Sequence, residues 1–328
     1  LGVFNLIYSY RNFQSFSHFF SASDTQSYLQ NSYQKAGIEN ADQKGYENSY
    51  PFIYYLEHAK IYYEQSRQSP LLIKPILLFY GFVHLIKACI LTTNPNYPEN
   101  TGVLSHGVST RKRKKQQYEF FDDEVKYQKN GLFPYMLEHM FQMRHMEGDK
   151  ITMRELLQQI PELAPMFKKV EKKNTFMKIP LHQSSFAFPI EVIDYFHMTE
   201  NRFVEYIHHK SSGALAFQKG QNDCLLFDCH CAHSQLLPLK YNLEEKNYYF
   251  SLLKGDLLGF PELFVHYLLL YNLSMIARYE TEWWSELLKT MPNKDYPFIV
   301  NFLEVTSEKG PFLAYQYLTS KTILDDGV

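Results

Sequence analysis

Residues 51–91 read PFIYYLEHAKIYYEQSRQSPLLIKPILLFYGFVHLIKACIL, and this stretch decides the fold. Its first part carries Phe52, Tyr55, Leu56, Ala59, Tyr62 and Tyr63 at steps of three and four, the period of one buried helical face. Pro51 after Ser49 suits a first helical turn, so a helix is predicted from Pro51 to Gln68. Ser69-Pro70 breaks it. A second helix is predicted from Pro75 to Leu91, apolar almost all round, the mark of a central helix. Its Gly81, His84, Lys87 and Ala88 fall within about 120° on a helical wheel. Small side chains at 81 and 88 let a neighbouring backbone approach, with His84 and Lys87 at the edge of that seam. Helix, short break and helix make an antiparallel hairpin.

Working outward, the run from Pro261 to Leu288 is a second strongly apolar helical block. Neither block can bury its surface alone, so the two are expected to pack on each other. Residues 36–50 are polar and read as a loop. Residues 92–117, rich in Pro, Gly and Asn, read as a second, longer one. Mixed helices are expected over 118–172, including Tyr135–Met146 and Met153–Ile160. From 174 to 255 the segments KNTFMKIPL, SSFAFPI, GALAF, DCLLFDC and NYYFSLL are short and β-prone, interrupted by one helix at Thr199–His209. Helices at 295–304 and 311–320 close the chain. The expected fold is mainly α with an α+β insertion: a discontinuous helical bundle from 1–117 and 256–328, with the mixed region 118–255 inserted.

A chain of 328 residues buries enough surface to need no metal or disulfide for its core. With 45% apolar and 21% charged residues it is not a disordered, collagenous or supercharged chain. Lys and Arg number 33 against 35 Asp and Glu, so any patch for nucleic acid or membrane must be local. Phe and Tyr number 26 each against 2 Trp, a core built from rings, many with a polar tip. Cys89, Cys224, Cys229 and Cys231 make no disulfide framework, and a reducing cytosol is expected. The N-terminal LGVFNLIYSYRNF has no basic segment before its apolar residues and no small-residue cleavage site, in keeping with that compartment. Pro75–Ile86 and Leu263–Ala277 are uncharged for 12 and 15 residues, short of a membrane span, and no membrane partner is expected. Dinucleotide, Walker, zincin and nucleophile-elbow signatures are absent, and no cofactor is expected.

Three groups of residues carry chemistry. Arg111, Lys112, Arg113, Lys114 and Lys115 suit phosphate neutralisation; as a solvated run they would be offset by Asp122, Asp123 and Glu124. His84, Lys87, His106 and Arg278 lie in or beside the most apolar helices. They read either as an anion or nucleotide pocket at the hairpin mouth, or as an ion-pair network with Glu57 and Glu64 as partners. Cys229, Cys231 and His233 would share one face of a strand and are weak zinc candidates; small buried cysteines fit equally.

The stretches YPFIYYLEHAKIYYEQSRQSPLLIKPILLFYGFVHLIKAC, LSHGVSTRKRKKQQYEF and MIARYETEWW resemble the YaaC family of Firmicute proteins over nearly the whole chain. The resemblance implies a cytosolic bacterial protein and little chemistry. The long hairpin ending in a His-Gly loop also resembles HEPN-type bundles. Many of those dimerise, and active members cut RNA without metal through an Arg-x(4–6)-His motif. Arg202 with His208 or His209 matches that spacing, but in the middle region and not in the bundle helices. On a helix Arg202 and His209 share a face, where Arg would stabilise charge on a phosphodiester and neutral His would take a proton; two exposed histidines on a surface helix read as well. The expected function is RNA or nucleotide binding through the basic loop beside the bundle, without catalysis or with weak catalysis. The alternatives are a ribonuclease using Arg202 and His208 or His209, and a structural homodimer.

Overall fold

A computed structural model describes residues 10–110, 118–143, 148–182, 185–221, 223–229, 237–253 and 260–321. The protein is mainly α, with three small antiparallel sheets. Two compact units divide it, one of residues 157–265 and a larger one of 9–156 with 266–328. The larger unit thus takes in residues 118–156, which the sequence alone groups with the insertion.

In the larger unit, a 3-10 segment Phe13–Phe20 leads into α1 (Ala22–Lys35), α2 (Ala41–Gln68) and α3 (Lys74–Leu91). The helical hairpin predicted from residues 51–91 is therefore α2 and α3. The loop expected at 36–50 is wrong from Ala41 onward, because α2 starts there and runs through Pro51. The first turns of α2 bury Ala41, Gly45 and Ser49, one small residue per turn. A Cβ on Gly45 would stand 3.1 Å from the Gln26 carbonyl and the Gln30 amide, so α1 and α2 pack almost backbone to backbone. A face made of small residues shows no apolar period, and that hid the helix.

Among the described residues α3 alone is long and apolar enough to cross a membrane, with a mean hydropathy of 1.6 over 18 residues; two thirds of it is buried inside the protein. Gly81 brings α2 close, as expected: a Cβ there would lie 3.0 Å from the Tyr62 Cβ and the Tyr63 ring. The C-terminal block is α9 (Glu262–Tyr279) and α10 (Thr281–Thr290), followed by α11 (Asp295–Ser320). The two apolar blocks meet, with Phe79 of α3 edge-on to Tyr267 and Tyr271 of α9. The two closing helices expected at 295–304 and 311–320 are one helix that passes through Pro311. Proline removes one helical hydrogen bond. Here both halves bury an apolar face, and that burial holds the axis continuous.

Tyrosine hydroxyls reach helix ends. Tyr33 donates to the Leu91 carbonyl, the last of α3, at 2.8 Å, and Tyr28 to the Leu318 carbonyl at 2.8 Å, which also accepts from the Lys321 amide. The same unit holds a sheet of β1 (Val108–Thr110), β2 (Glu124–Tyr127) and β3 (Lys150–Thr152), beside α4 (Leu132–Phe141), which starts three residues earlier than expected and stops at Phe141. The short α5 (Met153–Leu157) follows β3.

The smaller unit carries α6 (Ala164–Glu171), α7 (Val192–Phe196) and α8 (Glu200–Lys210). Its strands are β4 (Phe176–Ile179), β5 (Leu181–His182), β6 (Ser185–Pro189), β7 (Leu215–Gln221), β8 (Cys224–Cys229), β9 (Leu239–Asn242) and β10 (Asn247–Ser251). They form sheets ordered β4-β10-β9 and β5-β6-β8-β7. The expected hairpin of GALAF with DCLLFDC is β7–β8. Phe188, Phe203, Phe227 and Phe250 are fully buried and in edge contact, pinning α8 to the sheets.

Candidate functional site

Tyr80, His84 and Lys87 recur at steps of four and three along α3 and form the half-buried stripe of an otherwise buried helix. Opposite them α2 presents Tyr55, His58 and Tyr62 at the same spacing. The Tyr62 ring stacks on His84 (5.7 Å, 18°) and on Tyr80 (6.1 Å, 27°). His58 lies 5.0 Å from His84, and the Lys87 ammonium stands 5.7 Å over the Tyr55 ring.

The third wall is the loop at His106. The carbonyls of Ser105 and His106 accept from the Leu132 and Phe133 amides at the start of α4, and the His106 carbonyl also accepts from Tyr267. Gly107 has a φ of 75° and packs on the backbone of Gly131, so only glycine fits the crossing. With its backbone pinned, the His106 ring is held against Phe79 (5.0 Å) and Tyr271 (5.7 Å). The fourth wall is Arg278 at the end of α9. Its Nε donates to the Ser274 carbonyl and its Nη1 to the Tyr80 hydroxyl at 3.3 Å.

The structure therefore brings His84, Lys87, His106 and Arg278 to one side of α3: Lys87 acts on His84 and His106, and Arg278 on His106 and Tyr80. Glu57 and Glu64, the expected ion-pair partners, do not hold them: Glu64 faces Lys60 at 4.0 Å. Among the described residues no carboxylate lies in ion-pair distance of Lys87 or Arg278. Burial, then Lys87, then His58 push the His84 imidazole down to about 4. Burial, then Arg278, then Lys87 also lower His106, and burial lowers Lys87. Both imidazoles are therefore neutral near pH 7, and the His84 Nδ1 is buried without a hydrogen-bond partner. Two cations and two neutral imidazoles thus lie among tyrosine rings.

The model of the YaaC-like protein family matches residues 17–318. The chain belongs to the YaaC-like family. No curated protein and no solved structure matches it. The family match takes in every wall of the mouth, from Tyr55 to Arg278.

The other candidates of this YaaC-like chain fare differently. Arg111 to Lys115 lie outside the described residues, as do Cys231 and His233; Cys229 ends β8, half-buried. Among the described residues no three His, Cys, Asp or Glu side chains are grouped to hold a metal. Arg202, His208 and His209 are all exposed on α8, away from the face that buries Phe203 and Ile207. Their side chains have no hydrogen bond or ion pair among the described residues. A cleft of about 740 Å³ opens at α4, lined in part by Asn100, Lys129, Tyr135, Glu138 and Gln142. Its one cation and one carboxylate leave it without net charge.

Sequence reasoning missed Tyr80, Tyr62, Tyr55 and His58. Tyr55 and Tyr62 read as core positions because they share the period of the buried face. It also missed Asn272, buried in α9, which donates to Thr110 Oγ1 (3.3 Å) and Asp123 Oδ2 (2.9 Å). Tyr118 donates to the same Asp123 oxygen at 2.8 Å. The two residues that flank the basic run, Thr110 and Tyr118, are thus both tied to the Asn272–Asp123 pair.

Proposed function

We propose that this YaaC-like protein binds a phosphate-bearing ligand, an RNA or a nucleotide, at the mouth formed by Tyr80, His84, Lys87, His106 and Arg278, with the run Arg111–Lys115 as a second cationic element. One observation carries the reading: Lys87 and Arg278 are half-buried cations that both act on His106, with no carboxylate opposite either among the described residues. Partly desolvated charge without a partner costs free energy that an incoming anion recovers. The Asn272–Asp123 pair supports the second part. It ties Thr110 and Tyr118, at either end of the basic run, to the helix that carries Arg278. The chemistry is that of a binding protein. The mouth offers donors and ring faces, but neither an activated nucleophile nor paired carboxylates.

The test is fluorescence anisotropy of a labelled single-stranded RNA and of a labelled adenosine triphosphate across a salt series. The affinity for RNA is expected to fall with salt by a log–log slope of about −0.7 per phosphate neutralised. It should weaken further when Arg111–Lys115 are replaced by Gln, and again with Lys87→Met. Binding that is indifferent to salt and to both replacements contradicts the proposal.

A further inference from the structure

We infer that the group received between Lys87 and Arg278 is a terminal phosphate, a phosphate monoester, and not an internal phosphodiester; this rests on the anion-binding reading above. The described cations at the mouth are two, recessed among rings. They do not form the row of exposed charges that tracks a continuous strand. Tyr80 and Lys87 are seven residues apart on α3, roughly 10 Å along its axis. Arg278 bonds Tyr80 at one end of that interval, and His106 feels both cations. The long Lys87 and Arg278 side chains both act on His106, and a single group with charge on several oxygens can answer both.

Charge makes the choice. A monoester carries up to two negative charges and three free oxygens, a diester one charge and two. With Coulomb attraction proportional to charge, the dianion gains about twice as much from the same two cations. The donors suffice for three oxygens. Lys87 has three N–H groups, and Arg278 keeps guanidinium hydrogens beyond those given to Ser274, Tyr80 and the Met275 sulfur.

Protons make it again. A monoester has an ionisation near pH 6, and a diester has none near neutrality. His84 faces Tyr55, His58 and Tyr62 of α2 and Lys87 of its own helix. His106 faces Phe79, Tyr80 and Lys87 of α3 and Tyr271 and Arg278 of α9. No carboxylate stands among them, and burial first, then the neighbouring cations, keeps both rings neutral. Set between those cations, a monoester completes its second ionisation and sheds a proton as it binds, which a diester cannot do.

Calorimetry on the full chain tests this with four probes: inorganic phosphate, adenosine monophosphate, and one short RNA bearing either a 5′-phosphate or a 5′-hydroxyl. The 5′-phosphorylated RNA is expected to bind about tenfold tighter than its 5′-hydroxyl twin. Both Lys87→Met and Arg278→Gln should erase that difference; the second lies at a helix end and guards against failure of the first to fold. Titrations near pH 6.5 in buffers of unlike ionisation enthalpy should show proton release for the 5′-phosphorylated RNA and none for its 5′-hydroxyl twin. Adenosine monophosphate binding as tightly as the phosphorylated RNA makes a free nucleotide sufficient and supports the inference. Equal affinity of the two RNAs overturns it and leaves the broader reading standing. Silence from all four probes overturns both.

Discussion

The Tyr63 hydroxyl occupies the space in which a side chain on Gly310 would begin: a Cβ there would stand 2.5 Å from the phenolic oxygen. The Tyr63 ring is also packed against Gly81, where an added Cβ would lie 3.0 Å from it, and an added Cβ on Gly310 would lie 3.2 Å from the Phe82 ring as well. The first prediction is that Gly310→Ala destabilises the larger unit by about 1–3 kcal/mol through overpacking. The Tyr63 hydroxyl is itself buried without a hydrogen-bond partner. Tyr63→Phe is therefore expected to be neutral or stabilising by up to about 1 kcal/mol. Urea unfolding of both variants checks the pair; a stabilised Gly310→Ala contradicts the packing described.

Gly107 and Gly131 cross so closely that a Cβ on Gly131 would overlap the Gly107 amide. Gly131 also has a φ of 129°. Gly131→Ala is expected to cost more than about 2 kcal/mol, from strain and overlap together. It should also loosen His106, whose carbonyl is bonded from the start of α4. Hydrogen exchange at the Phe133 amide reads that loosening directly, and unchanged protection would contradict it.

His84 gives a pH dependence with a definite sign. Its imidazole titrates at about 4 in the folded protein against 6.5 unperturbed, so the unfolded chain takes the proton first. The stability linked to neutral His84 is complete above pH 6.5 and is lost as pH falls toward 4. His106 is shifted in the same direction and adds to the loss. The melting temperature of the ligand-free protein should fall on acidification through this window, and His84→Gln should flatten the fall. A melting temperature constant from pH 7 to pH 4 would count against the neutral state assigned to both rings.

Lys240 tests the smaller unit. It is 2% exposed in β9, and its ammonium donates to the Gln159 carbonyl (2.8 Å) and side-chain oxygen (2.9 Å). Lys240→Met keeps the stem and strands those acceptors, and a loss of about 1–3 kcal/mol is expected. Chemical denaturation followed on β-sheet circular dichroism is the measurement. No loss would mean that the buried amine is not what satisfies Gln159.

Two regions show how far sequence reading goes. The apolar period of α3 and the breaks at Ser69-Pro70 announced the hairpin, and His84, Lys87, His106 and Arg278 stood out as polar groups in apolar surroundings. The start of α2 at Ala41 did not show, because Ala41, Gly45 and Ser49 bury a face by being small. Nor did the continuity of α11 through Pro311, since a local rule against proline is outweighed by burial on both sides of it.

The sequence by itself determined that this is a mainly helical chain with a β-containing middle, and which of its residues are too polar for their neighbourhood. Periodicity and propensity are local, and they survive without a fold. Only the tertiary structure decided that Arg278 meets Tyr80 across 198 residues and that the His106 ring packs against Tyr271. Which charges lose water, and which find a partner, depends on what the packed chain brings within a few ångströms, and no spacing along the chain encodes that distance.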